Sequence, residues 1–481
     1  MNELKIFFQR VGLVGISNIL IALSSFILLP ILTKTYSIEE YAIWIQVSTT
    51  INLIRGIAEL GLPYAMIRYL AAEENKEKIK EGFYSTVFFV AFMGIIAFLI
   101  LYIFSEPISN AIFGGNDNIV ILTGLTIIVA GLNGIMTNYF RTFNEIRLYS
   151  LFSITLTYFS VLVVSCVVFL GFSIYYAILG NLISLSIVLA IMISIIIKNI
   201  GFSFPKFSNI KEYLSFSIPT VPSNLSIWIL DSSDRYLIGI ILGIGFVGLY
   251  SPAYSLGNIL VFFLTPFSIL LPSILAKHYD NNNIKNVKNI LGNSFKYYSM
   301  FSIPAAFGIS VLAKPMLLIL TTEQIALNGY IVTPFIAASA LLFGLSGIIN
   351  QTLVLTKKTK YLAVIWMIAA IINFILNLVF LPYLGIIGAG IMTLVAYMAA
   401  FALTLFYSFK FIEFELNILF IIKSIIASCI FSVIALFLAP EGIFNVILVV
   451  MLCIIVYFIS LKLLGELKSN EILFIRRLFR D

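Results

Sequence analysis

The chain has 481 residues, of which 61% are hydrophobic and only 11% charged, and its mean hydropathy is +1.08. Ordinary soluble domains carry about 25% charged residues, so a soluble globular protein is excluded and a polytopic helical membrane protein is expected. The formal net charge of +7 does not point to nucleic acid, because the basic residues gather at alternate loops, the pattern of membrane orientation.

Fourteen spans are predicted, at roughly 11–33, 41–67, 83–104, 118–140, 147–170, 174–197, 213–241, 246–275, 295–320, 330–355, 361–381, 386–409, 418–438 and 443–463. Most exceed the ~20 residues that cross a bilayer. No basic n-region followed by a cleavage site opens the chain, so the first apolar run reads as a retained helix rather than a signal peptide. Of the 29 Lys and Arg residues, 25 fall on one side: Lys5 and Arg10, the connections after even-numbered spans, and the tail with Lys468, Arg476, Arg477 and Arg480. The opposite side has Lys34 and Lys314, and Arg55 and Arg235 lie within spans. The positive-inside rule then puts both termini in the cytoplasm, as expected of a multi-pass protein of the cytoplasmic (inner) membrane.

Loops are short on both faces, the outer ones at 35–40, 171–173, 243–245 and 382–385 being little more than turns, the last three punctuated by Gly or Pro. The longest inner connection, 198–212, is basic and divides the chain near its middle. On either side of it the chain repeats itself weakly. FILLPILTKTYSIEEYAIWIQVSTTIN in spans one and two parallels DRYLIGIILGIGFVGLYSPAYSLGNIL in spans seven and eight: an apolar helix, a short outer turn, a re-entry at Tyr, and a helix with spaced small and polar residues. The organisation expected is a six-helix bundle at 1–198, a cytoplasmic linker at 199–212, a second six-helix bundle at 213–410, and two further helices with a basic tail at 411–481. Bundles of the same topology are related by an axis along the membrane normal.

Ionisable groups inside spans cost roughly 2.5–3.5 kcal/mol each on insertion scales and usually face a partner or a watery cavity. Five stand here. Span two carries Ser48, Asn52, Arg55 and Glu59 at helical spacing, so Arg55 and Glu59 are placed to pair. Span seven carries Asp231, Asp234 and Arg235 on one face, continued backwards by Asn224 and Thr220. Further amides (Asn133, Asn258, Asn350, Asn373 and Asn377) stand in later spans, where they either glue helices together or line a wet cavity; Asn52, Asn224, Asn258, Asn373 and Asn377 are the cavity-lining candidates. A guanidinium stays charged and matches phosphate oxygens bidentately, so Arg55 and Arg235 are candidate contacts for an anionic headgroup. Glu59, Asp231 and Asp234 are candidate charge partners, or sites where H⁺ or Na⁺ drives the return of an empty carrier, although pairing with arginine works against protonation. No other cofactor and no metal is expected. Pro30, Pro219, Pro222, Pro252, Pro266 and Pro272 should bend spans one, seven and eight.

Cys166, Cys429 and Cys453 sit in apolar runs and read as packing residues; His278 reads as solvated in a polar loop. A membrane glycan polymerase or ligase would need an outer loop bearing catalytic groups, which this chain lacks, so no enzyme activity is expected.

LLPILTKTYSIEEYAIWIQVSTTINLIRGIAELGLPYAMIRYL, DSSDRYLIGIILGIGFVGLYSPAYSL, FGLSGIINQTLVLTKKTKY and NLVFLPYLGIIGAGIMTLVAYMAAF, in this order across about residues 10–410, resemble the O-antigen-type, Wzx-like family of lipid-linked oligosaccharide flippases. That family shares a superfamily with the MATE multidrug exporters and the lipid II flippase. One departure is Ala42, where the family's opening turn has glycine. The resemblance implies an all-α integral membrane fold of two six-helix bundles in a V plus two extra helices, and alternating access. The cargo it implies is a polyprenyl-diphosphate-linked oligosaccharide, with Arg55 and Arg235 as the positions available for the diphosphate and glycan polymerase or assembly proteins as partners. A multidrug or metabolite/cation antiporter of the same superfamily is the alternative.

Overall fold

The computed structural model describes residues 2–466, with side chains from residue 12 onward; the predicted basic tail at 468–480 lies outside the described residues. Among the described residues all regular structure is helical. This is what hydrocarbon imposes on a chain whose backbone polar groups must be satisfied within the segment.

The spans are α1 (Asn2–Thr35), α2 (Ile38–Ala58), α3 (Lys76–Ile103), α4 (Asp117–Thr142), α5 (Ile146–Phe169), α6 (Ile174–Ile200) and α7 (Val221–Ile241). After these, α8 runs as Ile244–Asn258, a 3₁₀ stretch Ile259–Leu264 and Thr265–Asp280, and α9 as Ile284–Val311 with Ala313–Leu320 bent from it by 69°. Then come α10 (Thr333–Leu355), one continuous element Thr359–Phe409, α13 (Ile418–Leu438) and α14 (Gly442–Leu463). The long element breaks at Gly385 (φ 59°, ψ −152°) into α11 (359–384) and α12 (386–409), at the turn predicted for 382–385.

By length and apolarity ten of these elements can cross a membrane, or eleven with the bent pair. Counting the long element as two spans and adding α2 and α7 gives fourteen among the described residues. These two, each of 21 residues, fall short of the apolarity test because of the charged and polar side chains they carry.

Besides the bent α9, three predicted spans are discontinuous. Span two stops at Glu59 and restarts as Leu62–Leu70, after Leu60 (φ 51°) and Gly61 (φ 69°) take left-handed backbone. Span seven is a short helix Ile210–Ser217, a 3₁₀ turn Ile218–Thr220, and then α7, with Pro219 and Pro222 at the joins. Span eight loosens to 3₁₀ immediately before Pro266. In each, proline restarts a helix at its first turn, where its missing N–H costs nothing.

Packing divides the chain into two compact units: Met1–Ser251 with Asn377–Gly385, and Pro252–Leu376 with Ile386–Asp481. In the first, α4 is the central helix. Its face with Met136, Tyr139 and Phe140 meets Leu62 and Met66 of the short helix after α2, Phe83 and Val90 of α3, and Val188, Met192 and Ile196 of α6. Its buried hydroxyls Thr123, Thr126 and Thr137 each donate to the carbonyl four residues back, whereas Thr142 Oγ1 and Asn133 Oδ1 are buried without a hydrogen-bond partner among the described residues.

In the second unit, Tyr457 of α14 donates to the Met300 carbonyl of α9 at 2.9 Å and bonds Ser424 of α13 at 2.8 Å. Lys423 Nζ donates to the Leu464 carbonyl and to Glu466, each at 2.9 Å. Tyr457 thus fastens α14 to α9, and the Ser424 and Lys423 bonds tie α13 to α14 and the residues after it. Beside this junction α8, α9, α13 and α14 enclose a recess of about 600 Å³ whose walls, among them Phe263, Phe301, Pro304, Phe431 and Ile454, are almost wholly apolar.

Candidate functional site

Helix α2 begins on a capping box: Ser37 Oγ accepts from the Glu40 N–H at 3.2 Å, and Glu40 accepts from the Ser37 N–H at 3.0 Å. It ends within the predicted span, at Glu59, so Arg55 occupies its last turn. A cation there is favoured by the carbonyl end of the helix dipole. Arg55 Nε donates to Glu59 Oε1 at 2.9 Å, and the side chains are 41% and 15% exposed. Glu59 thus engages one edge of the guanidinium, and among the described residues no bond is seen from its two terminal nitrogens.

The pair rests on α4. A Cβ on Gly134 would overlap the Glu59 carboxylate and stand 3.7 Å from an Arg55 terminal nitrogen, so any larger residue must displace the ion pair from this position. Glycine earns its place here through close approach rather than backbone freedom.

Helix α7 holds its charges differently. Arg235 Nη1 donates to the Asp231 carbonyl, one turn back, at 2.6 Å, and lies 3.7 Å from Asp234 Oδ1. Asp234 is 1% exposed and Arg235 12%. The Asp234 carboxylate accepts from the Arg235 N–H at 2.9 Å through Oδ1 and from the Tyr250 hydroxyl of α8 through Oδ2. From α2, Gln46 Nε2 donates to the Arg235 carbonyl at 2.9 Å, and the Thr50 and Tyr236 hydroxyls share a bond of 2.6 Å. Helices α2 and α7 are thereby joined toward their lysine-poor ends, with Gly239 packed against the Gln46 amide.

Both charged helices lie in the first unit, and each arginine is engaged by an acidic residue of its own helix. Asn52 and Asn224 are exposed, about one turn and two turns before the charges they precede. The remaining cavity candidates stand on other helices. Asn258 is half-buried where α8 loosens to 3₁₀. Asn373 is fully buried and donates to Thr393 Oγ1 at 3.2 Å, tying α11 to α12. Asn377 is also fully buried, with neither amide atom hydrogen-bonded among the described residues. Asn133 acts as helix glue, donating to Leu185 O of α6 at 3.1 Å.

Sequence reasoning missed Gln46, Thr50, Gly134 and Tyr250. Gln46 and Thr50 share a face of α2 at i, i+4, opposite the stripe of Ser48, Asn52, Arg55 and Glu59, and that spacing was available in the sequence. Gly134 and Tyr250 stand in apolar runs and carry no local signal. The break after Glu59 was legible in Glu59-Leu60-Gly61-Leu62-Pro63.

An all-helical membrane protein with paired charges inside two interrupted spans belongs with the MATE-type carriers in fold. Two solved structures bear this out. The lipid II flippase MurJ in an inward closed conformation superposes with a TM-score of 0.75 at 18% identity, covering 95% of this chain and 98% of that one. An inward-facing multidrug resistance MATE family transporter of the MOP superfamily gives 0.67 at 14%, covering 81% and 94%. The family described as "Polysaccharide biosynthesis protein" matches residues 7–278, more than half the chain, and the chain belongs to it. The MatE family matches residues 219–379. A curated relative, the probable low-salt glycan biosynthesis flippase Agl15 of Haloferax volcanii, is 23% identical over 211 residues. That stretch is 44% of each protein, so the match spans less than half the relative's length.

Proposed function

We propose that this multi-pass membrane protein is a flippase. It turns a polyprenyl-diphosphate-linked oligosaccharide from the cytoplasmic to the outer leaflet of the cytoplasmic membrane, by alternating access between bundles 1–198 and 213–410 joined by the linker 199–212. The observation that carries the reading is Arg55: a half-exposed guanidinium within a span, steadied at Nε by Glu59, whose terminal edge is left for a phosphate. Family membership and the printed names of the relatives support the cargo class. The apolar recess beside α9, α13 and α14 suits an isoprenoid chain.

Arg235, more enclosed, adds a fixed positive charge. The bonds joining α2 and α7 at their lysine-poor ends fit a state closed on the outer side, with both termini cytoplasmic. Return of the empty carrier is coupled to H⁺ or Na⁺ through carboxylates among Glu59, Asp231 and Asp234. Asn52, Asn224, Asn258, Asn373 and Asn377 remain candidates for the polar path. The protein performs transport rather than covalent chemistry and works alongside glycan polymerase or assembly proteins.

The test is mass spectrometry of lipid-linked sugars in cells whose only copy carries Arg55→Ala. Complete repeat units should accumulate on the cytoplasmic leaflet at normal protein level; wild-type export would contradict the proposal. The MatE match over 219–379 favours a second reading, a drug or metabolite/cation antiporter. For that reading, deletion would leave the glycolipids unchanged and alter drug tolerance.

A further inference from the structure

Helix α6 ends at Gly201, whose backbone (φ 76°, ψ 166°) lies in a region that glycine alone enters without strain. The chain turns there and runs along the first turns of α3, held by three bonds. The Tyr84 hydroxyl donates to the Gly201 carbonyl at 2.9 Å, the Phe207 N–H to Ser85 Oγ at 3.3 Å, and the Ser208 N–H to Glu81 at 2.8 Å. The backbone of this connection is therefore fixed.

Its side chains are not those of a water-facing loop. Phe202 is 61% exposed and Phe204 77%; the two rings pack edge to face 5.2 Å apart, with Tyr84 against Phe202 at 5.5 Å. Phe207 packs on Phe88 at 5.0 Å, and Phe88 lies parallel to Phe92, one turn deeper, at 6.1 Å. Phe88 and Phe92 belong to the exposed apolar face of α3, the face of a membrane span. The rings at 202–207 thus prolong the lipid-facing surface of α3 beyond its first turn without a gap. Lys198 and Lys206, both exposed, flank the ring pair in sequence.

We infer that residues 201–207 form an interfacial anchor, with Phe202 and Phe204 seated at the headgroup–acyl boundary of the lysine-rich leaflet and Lys198 and Lys206 meeting phospholipid phosphates. Aromatic rings favour that depth, and lysine stems reach past an apolar level to place the ammonium among headgroups. Continuity with α3 decides for lipid over a protein partner, because any protein covering the rings would also have to displace lipid from the span beneath. The connection between the two expected bundles is then fixed to the bilayer surface rather than free in water.

The test uses Phe204→Trp, and Phe202→Trp as a second variant, in the full chain in phosphatidylcholine vesicles. Emission of the parent, from its native Trp44, Trp228 and Trp366, is subtracted. Phosphatidylcholine brominated near the head of the acyl chain should quench the added emission severalfold more than aqueous iodide does, and more than lipid brominated near the chain end. Quenching mainly by iodide would show a ring in water, and quenching by neither would show a ring covered by protein; either overturns the anchor. Lys198→Glu with Lys206→Glu should shift the balance toward iodide, and an unchanged balance would remove the lysines from it.

Discussion

Helices α2 and α7 are the two spans too polar to pass as ordinary membrane helices, and they spend their charge in opposite ways. On α2 the guanidinium of Arg55 has one carboxylate partner on one edge and is 41% exposed; on α7 that of Arg235 is 12% exposed, beside a carboxylate at 1%. Asp234 is further held by Tyr250, and the Arg235 carbonyl by Gln46. A charge fixed from several directions serves the fold, because removing one partner strands the other in low dielectric. A charge steadied from one side remains available to a ligand that brings its own negative oxygens. The contrast separates the proposed contact site on α2 from a fastening point on α7.

The largest expected effect belongs to α7. Asp234→Ala removes the enclosed carboxylate beside Arg235, and breaking a buried pair costs about 3–5 kcal/mol. Thermal unfolding in detergent should show a large loss for Asp234→Ala and a small one for Glu59→Ala; equal losses would erase the distinction. Arg55→Ala comes next: the pair is more open than that on α7 and its loss should cost less, so the protein should persist while export of lipid-linked sugar fails. A loss of protein matching the loss of export would make Arg55 structural.

Gly134→Ala sharpens the same point from α4. Its methyl group must push Glu59 aside, so export should fall part of the way, with Arg55 still present and protein level kept. Full export would mean that the position of Glu59 does not matter. Smallest is the tie between the helices. Hydrogen bonds between membrane helices average about 0.6 kcal/mol, so Gln46→Ala or Thr50→Val should shift the balance of open states roughly threefold, read by spin-label distances between α2 and α7. No shift in either variant would show that these bonds do not hold the lysine-poor ends together.

What the sequence made legible follows from where the information sits. Span number and membrane class are written in apolar runs longer than a bilayer, and Arg55, Glu59, Asp231, Asp234 and Arg235 stand out because charge is rare there. The Arg55–Glu59 pair was readable because i and i+4 share a helix face. Partners from other helices were not: Tyr250 reaches Asp234 and Gln46 reaches the Arg235 carbonyl only once α2, α7 and α8 are packed. One helix wheel shows three charges on α7 but not that Asp234 is enclosed. The difference between Arg55 and Arg235, which look alike in the sequence, is therefore a property of packing alone.

The most direct measurement is the affinity of the purified chain in lipid nanodiscs for a polyprenyl diphosphate bearing a short oligosaccharide. Wild type, Arg55→Ala and Arg55→Lys would be compared, with a prenyl glycoside lacking the diphosphate as control. Loss of the bidentate contact should weaken binding of the diphosphate by about tenfold or more, equivalent to about 1.4 kcal/mol, in Arg55→Ala. Lysine should restore part of it, and the control ligand should not distinguish the three. Equal affinity of wild type and Arg55→Ala for the diphosphate would contradict the account.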